Sequence, residues 1–299
     1  MPRALNALAA AGPLRRIGLR AAGIDPRRPI PALADSSFRR AFRRNRQRGR
    51  VEHAGMKGVG VPGPVMLWVD TFTDAFDPEI ARAAVELIES LGHEVRIPER
   101  RVCCGLTWIS TGQLDGARKR LRATVAALDE HVRAGGVVVG LEPSCTAALR
   151  ADLPRLLPDD DRAAAVASAV RTLAEFLEAE PGWQPPDRTG QTVIVQPHCH
   201  EHAVSGFAAD RRILEGTGAT VRELSGCCGL AGNFGMQRGH YEVSVAVAEN
   251  GLLPALRDAA PDTILIADGF SCRTQADQLA GRSAQHLAQF LGRAPNGRS

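Results

Sequence analysis

Val65–Phe72 reads VMLWVDTF and Thr192–Cys199 reads TVIVQPHC. Each is followed by CCGL, at Cys103–Leu106 and Cys227–Leu230. An apolar run ending in Ser-Cys comes next, VVVGLEPSC at Val137–Cys145 and TILIADGFSC at Thr263–Cys272. Laid on one another, these markers fall at nearly constant separation: 128 residues from Thr71 to Cys199, 124 from Cys103 to Cys227 and 127 from Cys145 to Cys272. Three markers in one order at one spacing make an internal duplication.

Each copy carries the same coarse pattern. Short β-branched runs at Val65–Val69 and Val193–Val195 predict buried strands, as do Val95–Pro98 and Val221–Leu224, then Val137–Leu141 and Ile264–Ala267. Between them Pro78 and Glu79 open a helix with an apolar stripe at Ala81, Ala84, Leu87 and Ile88. Leu114, Ala117, Leu121, Val125 and Leu128 mark a second. A further helix over Arg162–Glu178 is expected to join the copies, and Pro181, Pro185 and Pro186 to break the chain before the second begins. Strand and helix in alternation predict an α/β fold of two tandem, pseudo-symmetric repeats, each a parallel sheet with crossover helices. The division expected is a basic, linker-like arm over residues 1–60, a first repeat over 61–180 and a second over 181–299.

Charge is uneven along the 299 residues. The net formal charge is +4, yet residues 1–60 hold fourteen Lys and Arg against three acids. The remainder is therefore net acidic. The Arg-rich run from Arg39 to Arg50 has only Phe38 and Phe42 as aromatic company and no nucleic-acid module after it, so nucleic acid is not the expected partner. A solvated, poorly packed arm, or a face for an acidic partner or the inner face of a membrane, fits better. No apolar run reaches the roughly 18–20 residues a membrane span needs, and Arg15, Arg16 and Arg20 interrupt any signal-peptide core. A cytoplasmic location follows as the expectation.

All seven cysteines sit in the repeated motifs. An odd number without a secretory signal argues against a disulfide framework and for metal or redox chemistry. Cys199 follows the first strand of the second repeat, Cys227 and Cys228 the second, and Cys272 the third. Parallel strands share one C-terminal edge, where open α/β sheets build their sites. Helix N-termini at that edge favour thiolate over thiol. Four converging thiolates suit a four-iron cluster. A structural zinc site flanked by His198 and His200 is a second reading, although adjacent cysteines fit poorly on two vertices of a small tetrahedron. A vicinal Cys227–Cys228 disulfide or plain thiol chemistry is a third.

The paired strand–CCG–strand–Cys arrangement resembles the cysteine-rich CCG domain found in heterodisulfide reductase and in the iron–sulfur subunits of glycolate and anaerobic glycerol-3-phosphate dehydrogenases. It is most similar to the C-terminal part of FAD-linked D-2-hydroxyacid dehydrogenases, in the phrases VDTF, LEPSC, HCH, CCGLAGNFG and SCRTQ. The resemblance covers roughly residues 60–292. It implies an electron relay with a [4Fe-4S] cluster on Cys199, Cys227, Cys228 and Cys272, FAD on a flavin-containing dehydrogenase partner, and a ferredoxin-type subunit as a further partner. Electrons would pass toward a quinone, cytochrome or disulfide. Two departures stand out. Gln275 occupies the place of the last family cysteine, and Thr71 the place matching Cys199, which leaves Cys103, Cys104 and Cys145 as an incomplete second site. His198, His200 and Arg273 would surround the cluster, Arg273 favouring its reduced form. With no flavin segment in evidence, the chain is not expected to oxidise a hydroxy acid alone. From a different class, a zinc-stabilised interaction module with a basic docking arm stays open.

Overall fold

The structure, a computed structural model, describes residues 2–10, 12–49 and 63–292. Two four-stranded sheets organise it. In the first, β1 (Val65–Trp68), β2 (Val95–Arg96), β3 (Val138–Gly140) and β4 (Val170–Thr172) lie in the order β2-β1-β3-β4. In the second, β5 (Thr192–Val195), β6 (Thr220–Glu223), β7 (Ile264–Ile266) and β8 (Ala284–Gln285) take the order β6-β5-β7-β8. All pairs are parallel, with Met66 beside Val138 and Val193 beside Ile264 at the centres. The shared order is what the duplicated markers predict.

The fourth strand of each sheet corrects the sequence reading. A single helix was expected over Arg162–Glu178, but it stops at Ala169 and restarts at Leu173. Between them β4 pairs with β3 and buries Val170. Thr172 then restarts the helix as an N-cap, its side chain and that of Glu175 closing a reciprocal capping box. The second repeat does the same after β8, where His286 and Gln289 form the box that opens Leu287–Leu291. A helical apolar stripe continued through a β-branched residue hid this strand.

One apolar cluster lies between the sheets. It takes Val65, Leu67 and Val139 from the first, Val193, Val195 and Ile266 from the second, and the helices sandwiched there. Those helices exchange partners. Leu287–Leu291, the last of the second repeat, packs on Pro78–Ser90 of the first, and Leu173–Glu178, the last of the first, packs on Ala208–Gly216 of the second. The exchange is reciprocal. The outer faces carry separate clusters, around Leu121, Val125 and Leu149 in one half and Leu252, Leu256 and Leu265 in the other.

The arm does not behave as a solvated linker. Leu19, Arg28, Phe38, Arg39 and Ala41 are buried, and Phe38 joins the central cluster. Arg39 donates to Val69 O (3.0 Å) and Pro98 O (2.9 Å), at the ends of the first two strands. Arg28 donates to Gly235 O, Ser244 Oγ, Gln275 Oε1 and Gln278 Oε1 in the second half. The arm thus straps both repeats. Counting arginine as purely solvated missed that its planar fork satisfies buried carbonyls while its stem packs. Arg40, Arg43 and Arg44 are exposed, whereas the stretch from Arg50 to residue 60 lies outside the described residues.

Candidate metal centre

The parallel register delivers the second-repeat cysteines to one rim. Cys199 opens the helix Cys199–Val204 directly after β5, Cys227 and Cys228 lie in the loop after β6, and Cys272 sits in the first turn of Phe270–Ala280 after β7. Cys199 is exposed, Cys227 half-buried, and Cys228 and Cys272 are buried. Their sulfurs form a hydrogen-bonded row. Bonds with Cys199 and then Cys228 hold the Cys227 thiol far below its ordinary range, and the Cys228 thiol is pushed up by its bonds with Cys227 and Cys272. The Cys199 thiol is pushed up chiefly by its bond with Cys227. The Gly229 N–H donates to Cys227 Sγ at 3.4 Å. Cys227 is therefore the sulfur on which donors converge.

The row's breadth bears on which metal it suits. Among the described residues no three thiols bring their sulfurs all within 4.8 Å of one another. A single zinc ion at about 2.3 Å from each sulfur would need all of them about 3.8 Å apart. A polynuclear core spreads its ligands further, so the donor set of four thiols fits a cluster better than one ion.

Backbone conformation sets the loop. Gly229 has φ +88°, and a Cβ there would lie 2.2 Å from Ser244 O. Gln275, read from sequence as a missing cysteine, is fully buried and donates to Ser244 O and Oγ while accepting from Arg28. It braces this loop. Its signal was visible as a polar residue on the buried side of a core helix.

His198 is the N-cap of its helix. Nδ1 accepts from the His200 N–H (3.2 Å) and Nε2 faces Ser271 Oγ (3.4 Å). Burial, then His200, lower its pKa to about 4, so the ring is neutral. His200 is exposed and stacks edge-on against it, ring centres 5.4 Å apart. Arg273 is buried, but its donors go to Ala267 O and Asp268 O, and Nε lies 3.7 Å from Asp77 of the first repeat.

The first repeat places Cys103, Cys104 and Cys145 alike. Cys104 and Cys145 sulfurs are 2.9 Å apart, and the Gly105 N–H donates to Cys103 Sγ as Gly229 does to Cys227. The fourth corner differs. Asp70 caps the helix Thr71–Ala75, accepting from Phe72 N–H and Thr73 N–H, and burial followed by Glu142 raises its carboxyl to about 6. Glu142 crosses to the other half and accepts from the Phe270 N–H at 2.9 Å. Phe270 in turn stacks on Phe72 with ring centres 4.5 Å apart. The two cysteine sites thus face a common seam. Sequence reasoning missed Glu142, which sits within LEPSC but carries no spacing signal.

Residues 70–150 match the cysteine-rich domain family CCG. The matched span holds the first CCG motif and its three cysteines, from the start of Thr71–Ala75 to just past Cys145. Across the whole chain the similarity runs further. One subunit of the anaerobic glycerol-3-phosphate dehydrogenase of Escherichia coli K12 is 24% identical over 296 residues, 97% of this chain and 72% of the relative. Lactate utilization protein A of Bacillus subtilis 168 is 28% identical over 183 residues, 58% of this chain and 75% of the relative. D-2-hydroxyglutarate dehydrogenase of Escherichia coli K12 is 28% identical over 231 residues, 76% of this chain but only 22% of the relative. The resemblance to CCG proteins read from the motifs holds.

Proposed function

We propose that the protein is an iron–sulfur electron-transfer unit working with a flavin-linked dehydrogenase of the 2-hydroxyacid or glycerol-3-phosphate type. The observation that carries this reading is the row of four thiols at one sheet edge. Cys199, Cys227, Cys228 and Cys272 would hold a [4Fe-4S] cluster, which supplies a one-electron site when bound. Buried Cys228 and Cys272 anchor it on the protein side, and exposed Cys199 leaves one face open to a partner. The Gly229 N–H on Cys227 stabilises negative charge on that sulfur, which raises the potential at which an electron is accepted. The related dehydrogenase proteins support a dehydrogenase as the partner; in this reading that partner carries the FAD, electrons pass onward to a quinone, cytochrome or disulfide, and a ferredoxin-type subunit is a further companion. A cytoplasmic site of action, peripheral to the inner face of the membrane, fits the basic arm; no helix among the described residues is long and apolar enough to cross a membrane. The division into arm (1–60), first repeat (61–180) and second repeat (181–299) is proposed as a division by descent, since both repeats share one core.

The test is iron content. Anaerobically reconstituted protein should hold about four irons per chain. Cys228→Ser should abolish the cluster's absorbance, whereas Cys104→Ser should keep most of it and cost mainly stability. Iron lost from Cys104→Ser but retained by Cys228→Ser would place the cluster in the first repeat, and a colourless, zinc-loaded protein would end the electron-transfer reading. The isolated chain should show no turnover of D-lactate or glycolate with a dye acceptor, and turnover without added protein would contradict the proposed partner.

A further inference from the structure

Behind the cysteine row, three carboxylates meet away from water. One oxygen each of Glu201, Asp210 and Asp268 lies within 4.8 Å of the other two. Glu201 and Asp210 are each 3% exposed. His286 Nδ1 lies 3.6 Å from Asp268, but that nitrogen already accepts from the Ala288 N–H and so offers the carboxylate no proton. Backbone donors meet part of the need. The His198 N–H donates to Glu201, and the Leu287 N–H donates to Asp268 Oδ1 at 2.7 Å. Asp210 Oδ2 is left with no partner.

A separate side chain points to the same gap. Gln196 is 2% exposed and lines the cavity that Glu201, Asp210 and Asp268 also line. Its Nε2 donates to Pro197 O and Gly226 O, which fixes the amide and leaves Oε1 without a partner. The cavity measures about 10 Å³, room for one water-sized body, and its remaining wall is apolar, from Val195, Phe207 and Leu214 among others. The two side-chain atoms of this lining left without a partner, Gln196 Oε1 and Asp210 Oδ2, are both acceptors. A water would satisfy both and none of the charge. Uncompensated buried carboxylates cost several kcal/mol each.

We propose that Glu201, Asp210, Asp268 and Gln196 Oε1 bind a single dehydrated calcium ion. Calcium takes oxygen ligands at about 2.3–2.6 Å and accepts bidentate carboxylates, so opposite ligands stand about 4.8 Å apart. Magnesium keeps several waters, for which the cavity has no room. Soft metals go to the thiols instead. The ion would tie β5 and β7 to the helices Cys199–Val204 and Ala208–Gly216, bracing the elements that present Cys199 and Cys272. This site is independent of whether iron occupies the cysteines.

The experiment uses the full-length, iron-loaded chain, freed of calcium with a calcium-selective chelator and dialysed against radioactive calcium chloride. One calcium should bind per chain, and at a hundredfold excess over Kd the Tm should rise by about 5 °C. Asp210→Asn should lose both. Should that variant fail to fold, Gln196→Met, which removes Oε1 and keeps the volume, should weaken Kd by at least about tenfold, the loss typical of even an outer-shell partner. No saturable binding up to millimolar calcium would overturn the proposal, leaving a water or a shared proton in the cavity. Binding unchanged in either variant, or magnesium binding as tightly, would overturn it too.

Discussion

Arg28→Ala is the perturbation that best separates a strapped arm from a loose one. Arg28 is fully buried and donates to Gly235 O (2.8 Å), Ser244 Oγ (2.7 Å), Gln275 Oε1 (2.9 Å) and Gln278 Oε1 (3.1 Å). Truncation strands two of these acceptors. Ser244 Oγ still accepts from Gln275 Nε2, and Gln278 lies nearer the surface, but Gly235 O and Gln275 Oε1 lose their donors. A buried acceptor left unpaired costs about 1–3 kcal/mol, and the lost stem packing adds about 1 kcal/mol. Removing the cation also removes its own desolvation penalty, which trims the loss. The net is about 3–4 kcal/mol, or roughly 6–8 °C in Tm for a chain of this size. Thermal melts read by circular dichroism measure it. Arg28→Lys should recover less than half, because one ammonium cannot span acceptors spread across the fork. Iron should also leave Arg28→Ala faster in air, since Gly235 belongs to the loop that follows Cys227 and Cys228. A Tm change below about 1 °C would mean that the arm does not pack on the second repeat, and the reasoning would fail.

Gly229→Ala should cost about 3 kcal/mol or more, since the new Cβ meets a backbone oxygen and the residue sits at positive φ; urea denaturation measures it, and a near-neutral result would say that the loop is free to move. Asp70 gives a pH signature. Its carboxyl is raised from 3.8 to about 6 by burial and then Glu142, so between those values the folded chain holds a proton that the unfolded chain has lost. Stability from this group is therefore full below about pH 4 and declines by about 3 kcal/mol as pH rises through 6. Asp70→Asn should remove that slope, and a wild-type-minus-variant difference that is flat from pH 4 to 6 would show that Asp70 titrates normally.

The fold was legible because duplication doubles every signal. The first three strands of each repeat, their parallel pairing and the convergence of Cys199, Cys227, Cys228 and Cys272 on one edge all follow from CCGL and its flanking runs. What escaped the sequence shares one physical cause, a polar side chain turned inward. Thr172 and His286 end short strands by capping, Gln275 looks like a lost ligand but braces a loop, and Arg28 and Arg39 sit in a run whose composition reads as solvated. Glu142 reaches Phe270 across 128 residues of chain, a pairing that no local pattern announces. Periodicity reports which residues avoid water, whereas it is silent on which polar groups have found partners inside.

The reciprocal exchange of terminal helices has a price in biosynthesis. The helix Pro78–Ser90 leaves the ribosome early, but its cover, Leu287–Leu291, is made some two hundred residues later. At about 5–20 residues per second that is an interval of about 10–40 s. Throughout it the nascent first repeat holds Ile80, Ala84 and Ile88 without their final lid. Neither half can therefore be harvested as a soluble fragment by cutting between the repeats, and a stop codon just before Leu287 should unsettle the half made first as much as the half it shortens.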